Sequence, residues 1–372
     1  MTNRTRNFGL DCFRVAAIIT IVLVNYFGKP KEFFSFVTFL AHCRYAPDIF
    51  FVLSGFLIST QWFRYTNMGL VKNNFKIFFI KRALRILPCY YLTLVAYILY
   101  NRSSIQVEYS LKYYFIFLQN YFSPEFFTHT WSLCCEVMFY LTFPVISLLI
   151  NPKSKKAGWS FFLLILISPV FRLQGVLNID PSFFSPKYSG FIDKIFYFQT
   201  HMRLEGFGIG TFLGYLSIYK PSLWKFLERN QKKLLGLALV LFLYNTLGLI
   251  EGRYLRHNVI LGPLIFSLVF GMVLPWLYQT NWAPSKVVTF LAKISYPIYL
   301  IHYLVKLFND QLFRNLEDSG LNSVIEFTSY WVFLLLMSYL IHKVVERPSL
   351  KLREILIKQL KSSEGIFPKA RS

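Results

Sequence analysis

Two charges and an amide interrupt an otherwise apolar run near the start of the chain. The stretch FGLDCFRVAAIITIVLVNYFG, Phe8 to Gly28, is long enough to cross a bilayer as a helix, yet it carries Asp11 and Arg14 and closes on Asn25. An isolated Asp or Arg deep in hydrocarbon costs ~3 kcal/mol on insertion scales, so such residues pair, line a cavity or belong to a site. Helical periodicity places Asp11, Arg14, Ile18, Val22 and Asn25 on one stripe, with Arg14 and Asn25 roughly 16 Å apart along the axis. The stripe therefore has a polar group near each end. A signal-anchor helix whose charges pair with neighbours would carry the same residues.

A second chemistry is carried by HTWSLCCEVMFYL, His129 to Leu141. Glu136 lies four residues from Ser132 and four from Tyr140, one helical stripe. A carboxylate buried there can act as base or acid, or orient a base, because low dielectric raises its pKa unless donors or a cation hold it charged. A structural Glu bridged to another helix is the other reading. A third is the basic run Lys81, Arg82 and Arg85, whose guanidinium forks suit phosphates through paired, charge-assisted bonds. Juxtamembrane Lys and Arg obeying the positive-inside bias would look alike. His129, His201 and His302 are candidate bases, although a His at an interface also serves as a hydrogen-bonded structural residue. Ser54-Gly55 reads as a small pair for close helix packing sooner than as a nucleophile. Asp48 either anchors an Arg or His across a cavity or caps its helix.

The elements that must hold these residues are membrane helices. The chain is 55% hydrophobic and 19% aromatic, with a mean hydropathy of +0.44, and only 16% of it is charged. That composition excludes a soluble domain and predicts an all-α polytopic membrane protein. Ten spans are expected near residues 8–28, 46–62, 86–100, 132–150, 159–171, 203–219, 234–250, 258–278, 287–306 and 327–345, the third and fifth being short. YSLKYYFIFLQNYF is aromatic but broken by Lys112 and Gln119, and reads as a re-entrant or interfacial helix or an eleventh span.

The net charge of +22 would suggest nucleic acid in a soluble protein. Distributed over alternate loops it suggests topology instead. With the N-terminus inside, the cytoplasmic segments hold about twice as many Lys and Arg as the outer ones, which predicts both termini in the cytoplasm and no nucleic-acid partner. Arg172 and Arg203 are counted among the outer residues. The first span reads as retained, since no small-residue cleavage site follows it. Cys12, Cys43, Cys89, Cys134 and Cys135 lie in or beside helices without metal-like spacing, so buried free thiols are expected and no metal is implied. Residues 1–350 read as one transmembrane domain, with 351–372 a basic cytoplasmic tail whose LKLREILIKQLKS lies on the inner surface.

Five patterns, DIFFVLSGFLIS (Asp48 to Ser59), KRALRILPCYYL (Lys81 to Leu92), HTWSLCCEVMFYLTFPVI (His129 to Ile146), KISYPIYLIHYLV (Lys293 to Val305) and VVERPSLKL (Val344 to Leu352), resemble in order the signatures of the acyltransferase-3 membrane proteins. The resemblance runs from Leu10 to Glu346. It implies ten core helices and transfer of an acetyl or other short acyl group from cytoplasmic acyl-CoA to a hydroxyl of a cell-surface or lipid-linked carbohydrate. Acyl-CoA, above all acetyl-CoA, is then a co-substrate, with no bound cofactor, and the location is the plasma (inner) membrane of a bacterium, among membrane lipids. Arg14, Lys81, Arg82 and Arg85 would hold the coenzyme. Glu136 with an outer-side His would activate the hydroxyl, and Asp48, His129, Trp131, Ser132 and Arg203 would shape the acceptor side.

One position departs from the family. Arg14 belongs to an Arg-x10-His pattern whose His is central to catalysis, and here the eleventh residue on is Asn25. Asn cannot take a proton as imidazole does, though its amide can donate to an oxyanion or carbonyl. Either the base has moved, with His201 beside Arg203 in THMR and His302 in YLIH as leading substitutes, or catalysis is impaired. An impaired member would act as a transporter or binding protein for the acyl donor or the glycan.

Overall fold

A computed structural model describes residues 7–27, 45–67, 71–100, 111–122, 126–252, 255–280, 282–314 and 320–363 of the 372-residue chain. Cys43 lies outside them. The described residues form helices and no strand: α1 (Phe8–Phe27), α2 (Ala46–Asn67), α3 (Val71–Tyr100), α4 (Leu111–Phe115), α5 (Gln119–Phe122), α6 (Trp131–Ile150), α7 (Ala157–Leu163), α8 (Ile167–Asn178), α9 (Ser189–Ile192), α10 (Glu205–Tyr219), α11 (Pro221–Arg229), α12 (Gln231–Gly252), α13 (Arg256–Gln279), α14 (Lys286–Leu312), α15 (Gly320–Ile341) and α16 (Arg347–Ser363). Eight helical stretches among them are long and apolar enough to cross a membrane. The expected sixth and seventh spans are also helical, as α10 and α12.

Differences from the expected spans have local causes. α3 is one helix of 30 residues that starts well before residue 86 and runs through Pro88, a break neighbouring helices can absorb in a membrane protein. The fifth span is α7 and α8 joined by the 3-10 turn Leu164–Leu166. The Lys112 to Gln119 segment is no span: Phe117 adopts φ 58 and separates α4 from α5. The helix does not break at Glu346-Arg347-Pro348. A π-turn over His342–Glu346 passes α15 directly into α16, with Pro348 in the first turn, where a missing N–H is tolerated.

The chain divides into two compact units, residues 1–64 with 107–293 and residues 65–106 with 294–372. In the first, α2, α6, α10 and α13 run parallel. Phe51 meets Trp131 (5.9 Å between rings) and Phe63 meets Phe143 (5.9 Å), so α2 and α6 advance together. Along α10, a Cβ on Gly206 would crowd Phe51, one on Gly210 would overlap the Val52 carbonyl, and one on Gly214 would strike Ser59. Glycine here allows backbone-to-backbone approach of α2 and α10, with Gly55 opposite Gly210. α13 keeps the same direction, with Ser267 near Asp48 and Tyr278 against Phe56.

α7–α8 and α1 of this unit run the other way. α7–α8 places Gly158 at Tyr215, Ile165 at Gly208 and Arg172 at Glu205. α1 places Gly9 at Leu277 and Phe13 at Phe270, around the apolar cluster of Leu10, Phe13, Ala17, Ile49, Leu53 and Leu277. These directions are what strict alternation of the counted spans requires.

The second unit obeys the same alternation. Tyr296 donates to the Ile86 carbonyl (2.8 Å) and Tyr100 to the Leu307 carbonyl (3.3 Å), so α3 and α14 are parallel. α15 returns antiparallel to α14, with Asn309 donating to the Glu326 carbonyl (3.1 Å) and Tyr330 to that of His302 (3.3 Å). α16 packs back against α3.

Candidate functional site

The N-terminal ends of α2, α6, α10 and α13 converge in the first unit, and their polar residues meet there. Arg203, fully buried just before α10, donates from Nη2 to Asp48 Oδ2 at 2.5 Å, and Asp48 in the first turn of α2 is fully buried as well. Asp48 is thus an anchor across helices and not merely a cap. The guanidinium also lies over Tyr197 (4.5 Å to the centroid), Tyr45 (5.3 Å) and Trp131 (5.4 Å). Ring faces and a carboxylate together compensate a desolvated cation, and removing one partner of such a pair typically costs ~3–5 kcal/mol.

A second buried ion pair braces the same segment. Arg172 on α8 binds Glu205 Oε1 at 2.8 Å through Nη1, and gives Nε to the Ile260 carbonyl (2.9 Å) and Nη1 also to that of Met202. Ser168, one turn earlier, donates to the His201 carbonyl (2.8 Å) and accepts from Leu204 N (2.7 Å). Arg172 was expected in an outer loop; α8 outlasts the predicted fifth span and carries it into the interior. The signal that could have found it is an ionisable residue at the end of an apolar run, with Glu205 opening the next.

His201 is half-buried between Tyr121 and Phe171. Its Nδ1 lies 3.0 Å from the Tyr121 hydroxyl, its backbone N–H donates to that oxygen (3.3 Å), and the two rings stack at 5.7 Å. The Phe171 edge is 5.2 Å away. Burial pulls the imidazole below its usual pKa, favouring the neutral ring. Tyr121, on α5, is positioned by its neighbour Asn120, which donates to the Phe198 carbonyl (3.1 Å) and to Thr200 Oγ1 (2.9 Å).

Glu136 sits deeper, past the first turn of α6. Its Oε1 accepts from Ser54 on α2 (2.6 Å) and from Tyr140. The Ser132 stripe partner is buried, but the bonds run to Ser54 and Tyr140. Both hydroxyls share Oε1, and among the described residues none bonds Oε2. Ser54 donates to the carboxylate while Gly55 packs against α10. From Asp48 to Ser54 on α2, and from Trp131 to Glu136 on α6, the rise is roughly 8 Å, which stacks Glu136 beneath the Arg203 box.

The remaining candidates are scattered. Arg14 pairs with Asp11 at 3.0 Å, and Asp11 is buried. Asn25, in the last turn of α1, donates Nδ2 to the Ile21 carbonyl (2.9 Å). His129 is buried at the start of α6 and meets the Phe127 ring edge-on at 4.8 Å. In the second unit, Lys81 donates to Tyr65 (2.7 Å), Arg82 lies over Phe78 (5.7 Å) and Arg85 is exposed. His302 is fully buried there, with Nδ1 donating to the Tyr299 carbonyl (2.7 Å). Cys12, Cys89, Cys134 and Cys135 are free thiols.

Fold and site together define an all-α polytopic membrane protein with an ionic box at the joined helix ends. The chain belongs to the acyltransferase-3 family, whose profile, described as an acyltransferase domain, matches residues 7–343. It is 25% identical over 324 residues to a Staphylococcus aureus (strain COL) protein named "Putative O-acetyltransferase", covering 80% of this chain and 50% of that one. It is 26% identical over 292 residues to the peptidoglycan O-acetyltransferase OatA of Listeria monocytogenes, covering 69% of this chain and 44% of the relative. The chain thus spans about half the length of these relatives. No solved structure matches it.

Proposed function

We propose that the protein transfers an acetyl or other short acyl group from cytoplasmic acyl-CoA to a hydroxyl of a cell-surface or lipid-linked carbohydrate. Family membership and the O-acetyltransferase names of its relatives support the reaction class. Orientation is supported by charge: Arg64, Lys153, Lys155, Lys156, Lys220, Lys225, Lys232 and Lys233 lie at or beyond the C-terminal ends of α2, α6 and α10. The positive-inside bias makes that end cytoplasmic and turns the Arg203 box outward, in a bacterial plasma membrane. On the inner side, the basic run Lys81, Arg82 and Arg85 of α3 takes phosphate groups of the coenzyme. Arg14, already paired on one side with Asp11, adds a cation from within α1.

Glu136 carries the proposal. Its carboxylate has one oxygen held by two hydroxyls and the other without a hydrogen bond among the described residues, the arrangement of a base with a fixed orientation. The acceptor hydroxyl passes its proton to Glu136 as its oxygen bonds the thioester carbon. The C–S bond then breaks, and the proton leaves with the coenzyme thiol. Asp48, Trp131, Arg203, His129 and Ser132 form the wall on the acceptor side. Membranes incubated with labelled acetyl-CoA and peptidoglycan fragments should yield labelled ester, and Glu136→Ala should lower transfer at least ~100-fold. Label transfer that survives in Glu136→Ala would overturn the assignment.

The bond from Asn25 to its own helix favours a second reading, in which a disabled member carries or senses the donor or glycan. Transport moves substrate and leaves the thioester intact, so a free-thiol assay on reconstituted protein separates the two.

A further inference from the structure

We infer that Tyr121 locks neutral His201 in the tautomer that bears its hydrogen on Nε2, so that His201 donates a hydrogen bond to the acyl carbonyl oxygen and does not act as the base. The inference deepens the acyltransferase reading and rests on it only for the identity of the oxygen.

The hydrogens around one phenol oxygen decide the tautomer. The backbone N–H of His201 donates to it at 3.3 Å, and an N–H can only donate. Thr200 Oγ1 accepts from Asn120 Nδ2, which ties α5 and Tyr121 to the His201 segment. The His201 N–H occupies one acceptor direction of the phenol oxygen, and the phenol hydrogen must find an acceptor of its own. Nδ1 of His201, 3.0 Å away, is there. A hydrogen on Nδ1 would bring a second N–H onto the oxygen and leave the phenol hydrogen with no acceptor among the described residues. Nδ1 therefore accepts, and the ring hydrogen sits on Nε2, which no bond among the described residues uses.

The segment cannot turn to escape this arrangement. Ser168 holds the carbonyl of His201 and the N–H of Leu204, and Arg172 holds the carbonyl of Met202. Stacking on Tyr121 and the Phe171 edge fix the ring plane. In the transfer step no proton leaves the imidazole. Nε2–H stabilises the oxyanion as the new C–O bond forms, while the hydroxyl proton goes to Glu136 and departs with the thiol once the C–S bond breaks. Tyr121 is a positioning residue in this scheme.

The test is nitrogen NMR of the full chain in lipid nanodiscs with ring-labelled histidine, His201 being assigned from the signals lost in His201→Gln. The expected result is Nδ1 in the unprotonated range and Nε2 in the protonated range at neutral pH, with Tyr121→Phe moving both toward a mixture. A hydrogen on Nδ1 in the parent overturns the inference, as does a spectrum indifferent to Tyr121→Phe. Transfer assays add a second arm. His201→Gln, which keeps an N–H near the Nε2 position, should stay within ~10-fold of the parent, whereas His201→Ala should fall ~100-fold. Equal loss in both overturns the donor role. A parent with the expected spectrum and no acyl transfer leaves the tautomer standing and sinks the acyltransferase reading instead.

Discussion

Asn25 stands where the family resemblance leads one to expect an imidazole, and in the proposed mechanism Glu136 and His201 act without it. Asn25→His should therefore change transfer by less than ~10-fold, well short of what a newly supplied base contributes; a silent parent awakened by this substitution would mark a disabled enzyme. Burial of His201 also makes a stability prediction. Its pKa in the folded protein lies below the unfolded value near 6.5, so the unfolded chain binds more protons as the medium acidifies. The contribution of His201 is fully present above that pH and lost as pH falls below it. Thermal unfolding of the parent should drop between about pH 7 and 5, and His201→Gln should flatten part of that slope. Glu136, Asp48, Trp131 and Arg203 were legible in the sequence because ionisable or indole groups stand out within motifs. Tyr121, Ser168 and Ser54 were not, since their partners lie 33 to 82 residues away and hydroxyls are common in apolar helices.

Among the elements, α10 shows how a short helix is made to fit. Its 15 residues carry glycines on the face toward α2, and Gly210→Leu would push a side chain into the Val52 carbonyl. Overpacking of that kind costs at least ~1–3 kcal/mol, read as a lowered unfolding temperature in detergent. The ion pair at the end of α8 predicts a different pattern. Arg172→Ala strands Glu205 in the interior and should cost ~3–5 kcal/mol, while Arg172→Met combined with Glu205→Gln should be milder. Equal damage from both variants would show that the charge is not what matters. Hydropathy located the helices, because spanning a bilayer demands length and apolarity alone. It missed the start of α3, which lies among Lys and Asn, and the passage through Glu346-Arg347-Pro348. There a π-turn absorbs the proline where sequence rules end a helix.

For the molecule as a whole, relative directions within each unit agree with the alternation expected from counting spans, and the basic residues gather at one end of α2, α6 and α10. The proposed orientation rests on that charge. Cysteine placed at Ser154 should resist a membrane-impermeant reagent in intact cells, and cysteine placed at Ser182, between α8 and α10, should react; the reverse pattern would invert the topology. The overall class was legible because composition alone demands a membrane, and the acceptor was not, because specificity rests on side chains that meet only after folding. The most direct measurement encloses acetyl-CoA within proteoliposomes, supplies the carbohydrate acceptor outside, and follows thiol and ester together. One thiol released inside for each ester formed outside, both abolished by Glu136→Ala, is the predicted result. Ester formed only when donor and acceptor share a side, or acetyl-CoA crossing intact, would contradict it.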